Sequence, residues 1–136
     1  MFQAWTDPRH VAQWWGPTGF TNPVCEVDAR VGGSLRIVMR GPDGAQYPVI
    51  GAFREVVAPE RLVFTNIAVD VHGRHLLDGL TTVTFAEHGK GTKLTVHTRA
   101  VGLVDYAARM LEGMEAGWSQ SLDRLGAHVL GAGRAE

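Results

Sequence analysis

One cysteine in 136 residues, Cys25, excludes an internal disulfide and leaves no thiol partner for a cysteine-based metal cluster. That scarcity points to a reducing compartment, and the expected location is cytoplasmic. Charge of one sign is equally scarce. Thirteen basic residues against fourteen acidic leave a net charge of -1, with no global field to draw the chain to nucleic acid or an anionic membrane. No run approaches the roughly 18 apolar residues of a membrane-spanning helix, and the first residues lack the basic-then-apolar order of a secretory signal. Internal repeats are absent, and the 17 glycines and 6 prolines are spread between apolar runs rather than gathered in a linker. Nucleic acid and membrane are therefore not expected as partners.

What is present is an ordinary globular balance, 45% hydrophobic and 20% charged, in a chain long enough to bury a core without staples. A single domain is expected over residues 1–130, with a flexible tail at 131–136. Three of the four tryptophans stand in the first fifteen residues, in and around "AWTDPRHVAQWWGP" (Ala4 to Pro17). Thr6 or Asp7 followed by Pro8 reads as a helix start, because a side-chain oxygen caps free amides and proline fits the first turn. The helix is predicted over 8–15 and ends at Gly16-Pro17. Val11, Trp14 and Trp15 share one face, and Phe2 and Trp5 form an earlier turn against the same core. The Trp14-Trp15 pair is then a plug at the end of a sheet.

From residue 20 to about 100 the period becomes two, with strands predicted at 22–29, 34–41, 45–57, 61–70, 78–87 and 91–100. "RGPDGA" (Arg40 to Ala45), "EHGKGT" (Glu87 to Thr92) and Pro59-Glu60 supply turn chemistry, so consecutive strands are antiparallel neighbours. Leu35, Ile37 and Met39 alternate with Arg36, Val38 and Arg40; Val83 and Phe85 alternate with Thr82 and Thr84; Leu94 and Val96 alternate with Thr95 and His97. One face of the sheet is apolar and the other mostly polar. After Gly102 a stripe of 3.6 period, including Leu103, Met110, Met114, Trp118, Leu122, Leu125 and Val129, predicts a helix over 103–128, roughly 39 Å long at 1.5 Å per residue. Gly113 and Gly117 inside it permit a kink or a close approach. As part of this core stripe, Trp118 is expected to lose about 3–5 kcal/mol of stability on truncation to alanine. The pattern defines an α+β fold in which a curved antiparallel sheet carries one long C-terminal helix on its concave face, with short N-terminal helices closing one end.

Catalytic signatures are thin. There is no Ser-His-Asp order and no phosphate-cradling glycine loop; "VGG" (Val31 to Gly33) runs straight into strand pattern and is a turn. His72 and His75, with Asp70 and Asp78 near, have the composition of a cation site, but Gly73 makes them read as a solvated loop, and no metal is expected. His10, His88 and His128 read as surface residues, and Asp28 with Arg30 as a surface ion pair. His97 falls on the polar face; turned inward, it or Tyr47 would be the available acid or base.

"AWTDPRHVAQWWGP", the run from Val27 to Thr65, "TTVTFAEHGKGTKLTV" (Thr81 to Val96) and "GMEAGWSQSLDRL" (Gly113 to Leu125) together resemble the activator of heat-shock-protein-90 ATPase homologue family. That family is part of the START and SRPBCC helix-grip superfamily, and the likeness spans nearly the whole chain. The resemblance implies a helix-grip fold with an apolar cavity between sheet and helix. The side chains expected to line it are Leu35, Ile37, Met39, Tyr47, Phe53, Phe64, Val83, Phe85, Tyr106, Met110, Met114 and Trp118, with Arg36, Arg40, Arg109 and Tyr47 as polar groups for its mouth. Members of the superfamily bind lipids, polyketides or hormones, a minority catalyse cyclisation or dehydration, and the eukaryotic namesake stimulates a chaperone ATPase. The implied function is binding of a small hydrophobic molecule without a cofactor; the alternatives are a cyclase- or hydrolase-type enzyme in the same cavity, or a chaperone-binding module. The family's usual first strand, ahead of the first helix, has no counterpart in the numbered sequence. An exposed sheet edge is the expected consequence, with a homodimer or another partner segment to cover it.

Overall fold

The computed structural model describes residues 2–70, 72–89, 91–103 and 117–129. Two short helices, α1 (Phe2–Thr6) and α2 (Pro8–Trp14), come first. Asp7 caps α2 by accepting from the Arg9 amide at 2.9 Å, with Pro8 in the first turn. The Arg9 side chain donates to the same carboxylate and, with the amide, holds the Asp7 pKa down at about 2. The chain leaves α2 through Gly16 at φ 95°, a left-handed conformation that favours glycine, so the helix ends where Gly-Pro predicts.

Six strands follow: β1 (Thr21–Val27), β2 (Ser34–Arg40), β3 (Gln46–Val57), β4 (Arg61–Val69), β5 (His75–His88) and β6 (Gly91–Gly102). They form one antiparallel sheet in sequence order, as the short turns between them require. Most boundaries shift by one to three residues from the sequence reading, and two of the shifts have a visible cause. β5 begins at His75 rather than 78, because Asp70 folds the preceding connection into a tight turn. Its Oδ1 accepts from the amides of His72 and Arg74, and its own amide donates to the Arg74 carbonyl. At the other end, β6 runs on to Gly102, and the Leu103 amide donates to the Leu76 carbonyl at 3.0 Å. Residue 103, expected to begin the helix, is thus tied to the edge of β5 by its backbone and is not helical. The C-terminal helix is described over 117–129; its expected earlier part, with Tyr106, Arg109, Met110, Gly113 and Met114, and the tail from 131 lie outside the described residues.

The register fixes which side chains share the concave face. Cys25, Ile37 and Val49 align across β1 to β3, and Phe53 on β3 faces Phe64 on β4. Leu62 on β4 faces Val83 on β5, which faces Val96 on β6. Leu35, Ile37, Phe53, Leu62, Phe64, Val83, Phe85 and Leu125 of the helix are buried in one cluster with Trp5, Trp14 and Trp15. The four tryptophans meet there: Trp5 lies 4.6 Å from Trp14 and 6.1 Å from Trp118, and Trp15 lies 5.5 Å from Trp118, centroid to centroid. The N-terminal crowding of tryptophan thus closes the end of the sheet and docks the C-terminal helix on it.

Candidate functional site

Where the aromatic plug stops, the concave face stays open. Beside Trp15 and Trp118 lies a pocket of about 490 Å³, within the usual range of roughly 300–1,000 Å³ for small-molecule sites. The loop after α2 supplies Gly16, Pro17 and Phe20 as one wall; Met39, Tyr47, Val49, Ala68 and Leu77 form the sheet wall; Gly117, Trp118 and Ser121 form the helix wall. The ring of Phe20 rests 5.7 Å from that of Tyr47, which is 45% exposed and marks the rim. Asn66 also lines the pocket, and Tyr47 carries the one titratable side chain among the described lining residues.

Of the twelve side chains expected around a cavity, the structure brings Met39, Tyr47 and Trp118 to this pocket. Leu35, Ile37, Phe53, Phe64, Val83 and Phe85 are packed in the adjoining core instead, in one cluster with Trp5, Trp14 and Trp15; Tyr106, Met110 and Met114 lie outside the described residues. Arg36 and Arg40 do not reach the mouth. They alternate with Leu35 and Ile37 and stand exposed on the convex face, where Arg36 sits 3.8 Å from Glu26. His97 is likewise exposed, paired in register with Thr82. The Cys25 thiol faces inward, and burial, then the Glu26 charge, pushes its pKa up to about 11, so it stays protonated and unreactive.

Among the described residues, the loop with His72 and His75 gathers no ligand set. Asp70 is spent on the turn, the Arg74 amide first and the His72 amide after it holding its carboxyl below the ordinary range. His75 stands 3.7 Å from Asp78, both half-exposed. Asp28 and Arg30 form their surface ion pair at 2.8 Å. His10 and His128, read from sequence as separate surface residues, touch each other: Nδ1 of His10 lies 2.8 Å from Nε2 of His128. Burial, followed by the charge of His10, lowers the His128 pKa.

That contact is one end of a polar seam joining the helix to α2. Gln120 accepts from the Thr18 amide, Ser121 from the Gly16 amide, and Arg124 donates to the carbonyls of Gln13, Trp15, Gly16 and Pro17 at 3.0–3.2 Å. Residues 120, 124 and 128 repeat every fourth position, which puts them on one helix face. The guanidinium thereby satisfies carbonyls in the last turn of α2, at its cap and in the loop that follows. Replacing Arg124 by methionine is expected to cost about 2 kcal/mol, the scale of hydrogen bonds to a charged group, with lysine restoring only part because it lacks the fork. Urea unfolding at unchanged m-value is the check, and a loss below about 0.5 kcal/mol would show the seam to be incidental.

Among the pocket residues that sequence reasoning missed are Asn66, Phe20 and Ser121, along with Trp15, Val49 and Leu77. Asn66 shares its parity with Leu62 and Phe64, a legible signal. Phe20 sits in an irregular loop, where no period applies.

A curved antiparallel sheet holding a C-terminal helix, with an apolar pocket between them, defines the helix-grip class of protein. Residues 1–129 match the family described as Activator of Hsp90 ATPase homolog 1-like protein, and the chain belongs to that family. Among solved structures, the AHSA1 protein of Silicibacter pomeroyi is 28% identical, with 95% of this chain and 87% of that one covered at a TM-score of 0.79. A Chromobacterium violaceum protein is 30% identical, with 93% and 84% covered at 0.76. No curated protein matches the chain. Among the described residues, no helix is long and apolar enough to cross a membrane.

Proposed function

We propose that this protein binds a small, largely apolar molecule in the pocket between the sheet and the C-terminal helix, in the cytoplasm and without a cofactor. The observation that carries the reading is the pocket itself, about 490 Å³ with walls of Trp15, Phe20, Met39, Val49, Leu77 and Trp118. Aromatic and methionine side chains give such a wall area and adaptable shape. Family membership supports it, since the superfamily that the chain resembles holds hydrophobic ligands in this place. The described walls offer the half-exposed Tyr47 phenol as their one titratable group, which favours binding over acid–base chemistry, where converging ionisable groups are the usual sign.

The test is native mass spectrometry with organic extraction of whatever copurifies, followed by titration with an environment-sensitive apolar dye. The expected result is saturable binding of one molecule per chain, with a change in tryptophan emission from Trp15 and Trp118. Ala68→Phe puts a ring into the pocket and is expected to weaken dye binding by at least about tenfold, equivalent to 1.4 kcal/mol. An empty protein that binds no dye would overturn the reading and turn attention to a protein partner.

A further inference from the structure

Across the middle of the concave face runs a polar diagonal: Asn66 on β4, Thr81 on β5 and Thr98 on β6. The Thr81 hydroxyl lies 2.7 Å from Asn66 Oδ1 and 3.0 Å from the Thr98 hydroxyl. An amide oxygen only accepts, so Thr81 commits its single proton to Asn66, and Thr98 must donate to Thr81. The chain of donors therefore runs one way, from Thr98 through Thr81 to Asn66, and it polarises the amide so that its N–H groups become stronger donors.

Those N–H groups have no acceptor among the described residues, although Asn66 is only 9% exposed and lines the pocket. Glycine stands on either side. Gly79 pairs with Asn66 on β5, and a Cβ there would lie 2.9 Å from Asn66 Nδ2. On β3, Gly51 lies level with Asn66, between the Ile50–Ile67 and Phe53–Phe64 partners. Glycine at 79 thus keeps a neighbouring side chain off the Asn66 amide, which itself lines the pocket. An amide donor without a protein acceptor on an otherwise apolar pocket wall is one of the few placed polar groups that orient a ligand in such a site, and a ligand oxygen is its natural partner.

Resting on the binding role proposed above, we infer that Asn66 is a ligand-binding residue and that the ligand is an apolar molecule bearing a carbonyl oxygen, which accepts from Asn66 Nδ2. The described lining residues include no cation, which favours a neutral ketone, ester or amide over a carboxylate.

The test compares two probes of one skeleton, 6-propionyl-2-(dimethylamino)naphthalene and its 6-propyl counterpart, in which a methylene replaces the carbonyl. The native chain is expected to bind the ketone at least about tenfold more tightly, a difference typical of one satisfied hydrogen bond. Asn66→Leu is expected to abolish the preference, so that the variant binds the ketone and the propyl probe with equal affinity. The carbonyl stretch of the ketone bound to the native chain is expected to lie below its value in an alkane solvent, a readout that needs no variant. Equal affinity for the two probes, or a carbonyl band at its alkane position, would overturn the assignment of Asn66 while leaving the pocket standing. Binding of neither probe would overturn the pocket reading and this inference with it.

Discussion

Truncating Trp14 to alanine is expected to destabilise the fold by about 3–5 kcal/mol, the range for removing a fully buried aromatic side chain. Trp14 has no exposed surface, and its Nε1 donates to the Ala4 carbonyl at 2.8 Å, so one side chain both fills the plug and ties α2 to α1. Its ring contacts Trp5 and Trp15 at 4.6 and 5.8 Å. Small domains have about 5–15 kcal/mol to lose in all, so the variant should unfold at a much lower urea concentration with the same m-value. Trp118 was the sequence-based candidate for this loss. It is only partly buried and faces the pocket, hence Trp118→Ala should cost less than Trp14→Ala. Equal losses, or a Trp14→Ala effect below 1 kcal/mol, would mean that the plug is not the keystone of this end of the sheet. Trp14→Phe separates the two contributions: it keeps most of the volume and drops the hydrogen bond, leaving the Ala4 carbonyl without its donor.

The parts of this architecture that sequence made legible are those where a period persists over several residues. Leu35, Ile37 and Met39 on β2, and Leu62, Phe64, Val83 and Phe85 on β4 and β5, lie inward as alternation predicts. The helix stripe through Trp118, Leu122, Leu125 and Val129 packs on the same core. The pocket was less legible, for a physical reason. Whether an inward apolar side chain lines a void or fills a core depends on what reaches it from the other side. At Phe64 and Phe85 tryptophan rings arrive, at centroid distances of 6.4 and 6.3 Å; Met39 and Val49 line the pocket instead. That choice is made by three-dimensional packing and has no period. Polar residues on the apolar parity are a different case. Asn66, Thr81 and Thr98 share strand parity with Phe64, Val83 and Val96 and could have been placed inward from alternation alone. Their polarity draws a reader to the other face. The meeting of His10 and His128 was not legible at all, because it joins positions 118 residues apart through the docking of a helix.

Alanine at Gly51 should cost about 3 kcal/mol, the upper end of the range for overpacking, although the change adds a single methyl group. The added Cβ would collide with the backbone carbonyl oxygen of Thr65 and stand 3.1 Å from Thr65 Oγ1. A side chain can swing aside; a carbonyl in the middle of β4 moves only if the strand moves. The same place holds a local exchange of hydrogen bonds, in which the Thr65 hydroxyl accepts from the Ala52 amide at 2.8 Å in place of a regular ladder contact. Pushing β3 from β4 there also moves the part of β4 that carries Asn66, level with Gly51, so Gly51→Ala should weaken ketone-probe binding along with stability. Gly126→Ala is the control. In the helix over 117–129 a Cβ at 126 meets nothing within 4 Å, and alanine there should stabilise by up to about 1 kcal/mol through helix propensity. Opposite signs for one chemical change, read as urea midpoints, would locate the cost at Gly51 in the approach of two strands. If both variants moved the midpoint the same way, backbone crowding at Thr65 would not be what demands glycine at 51.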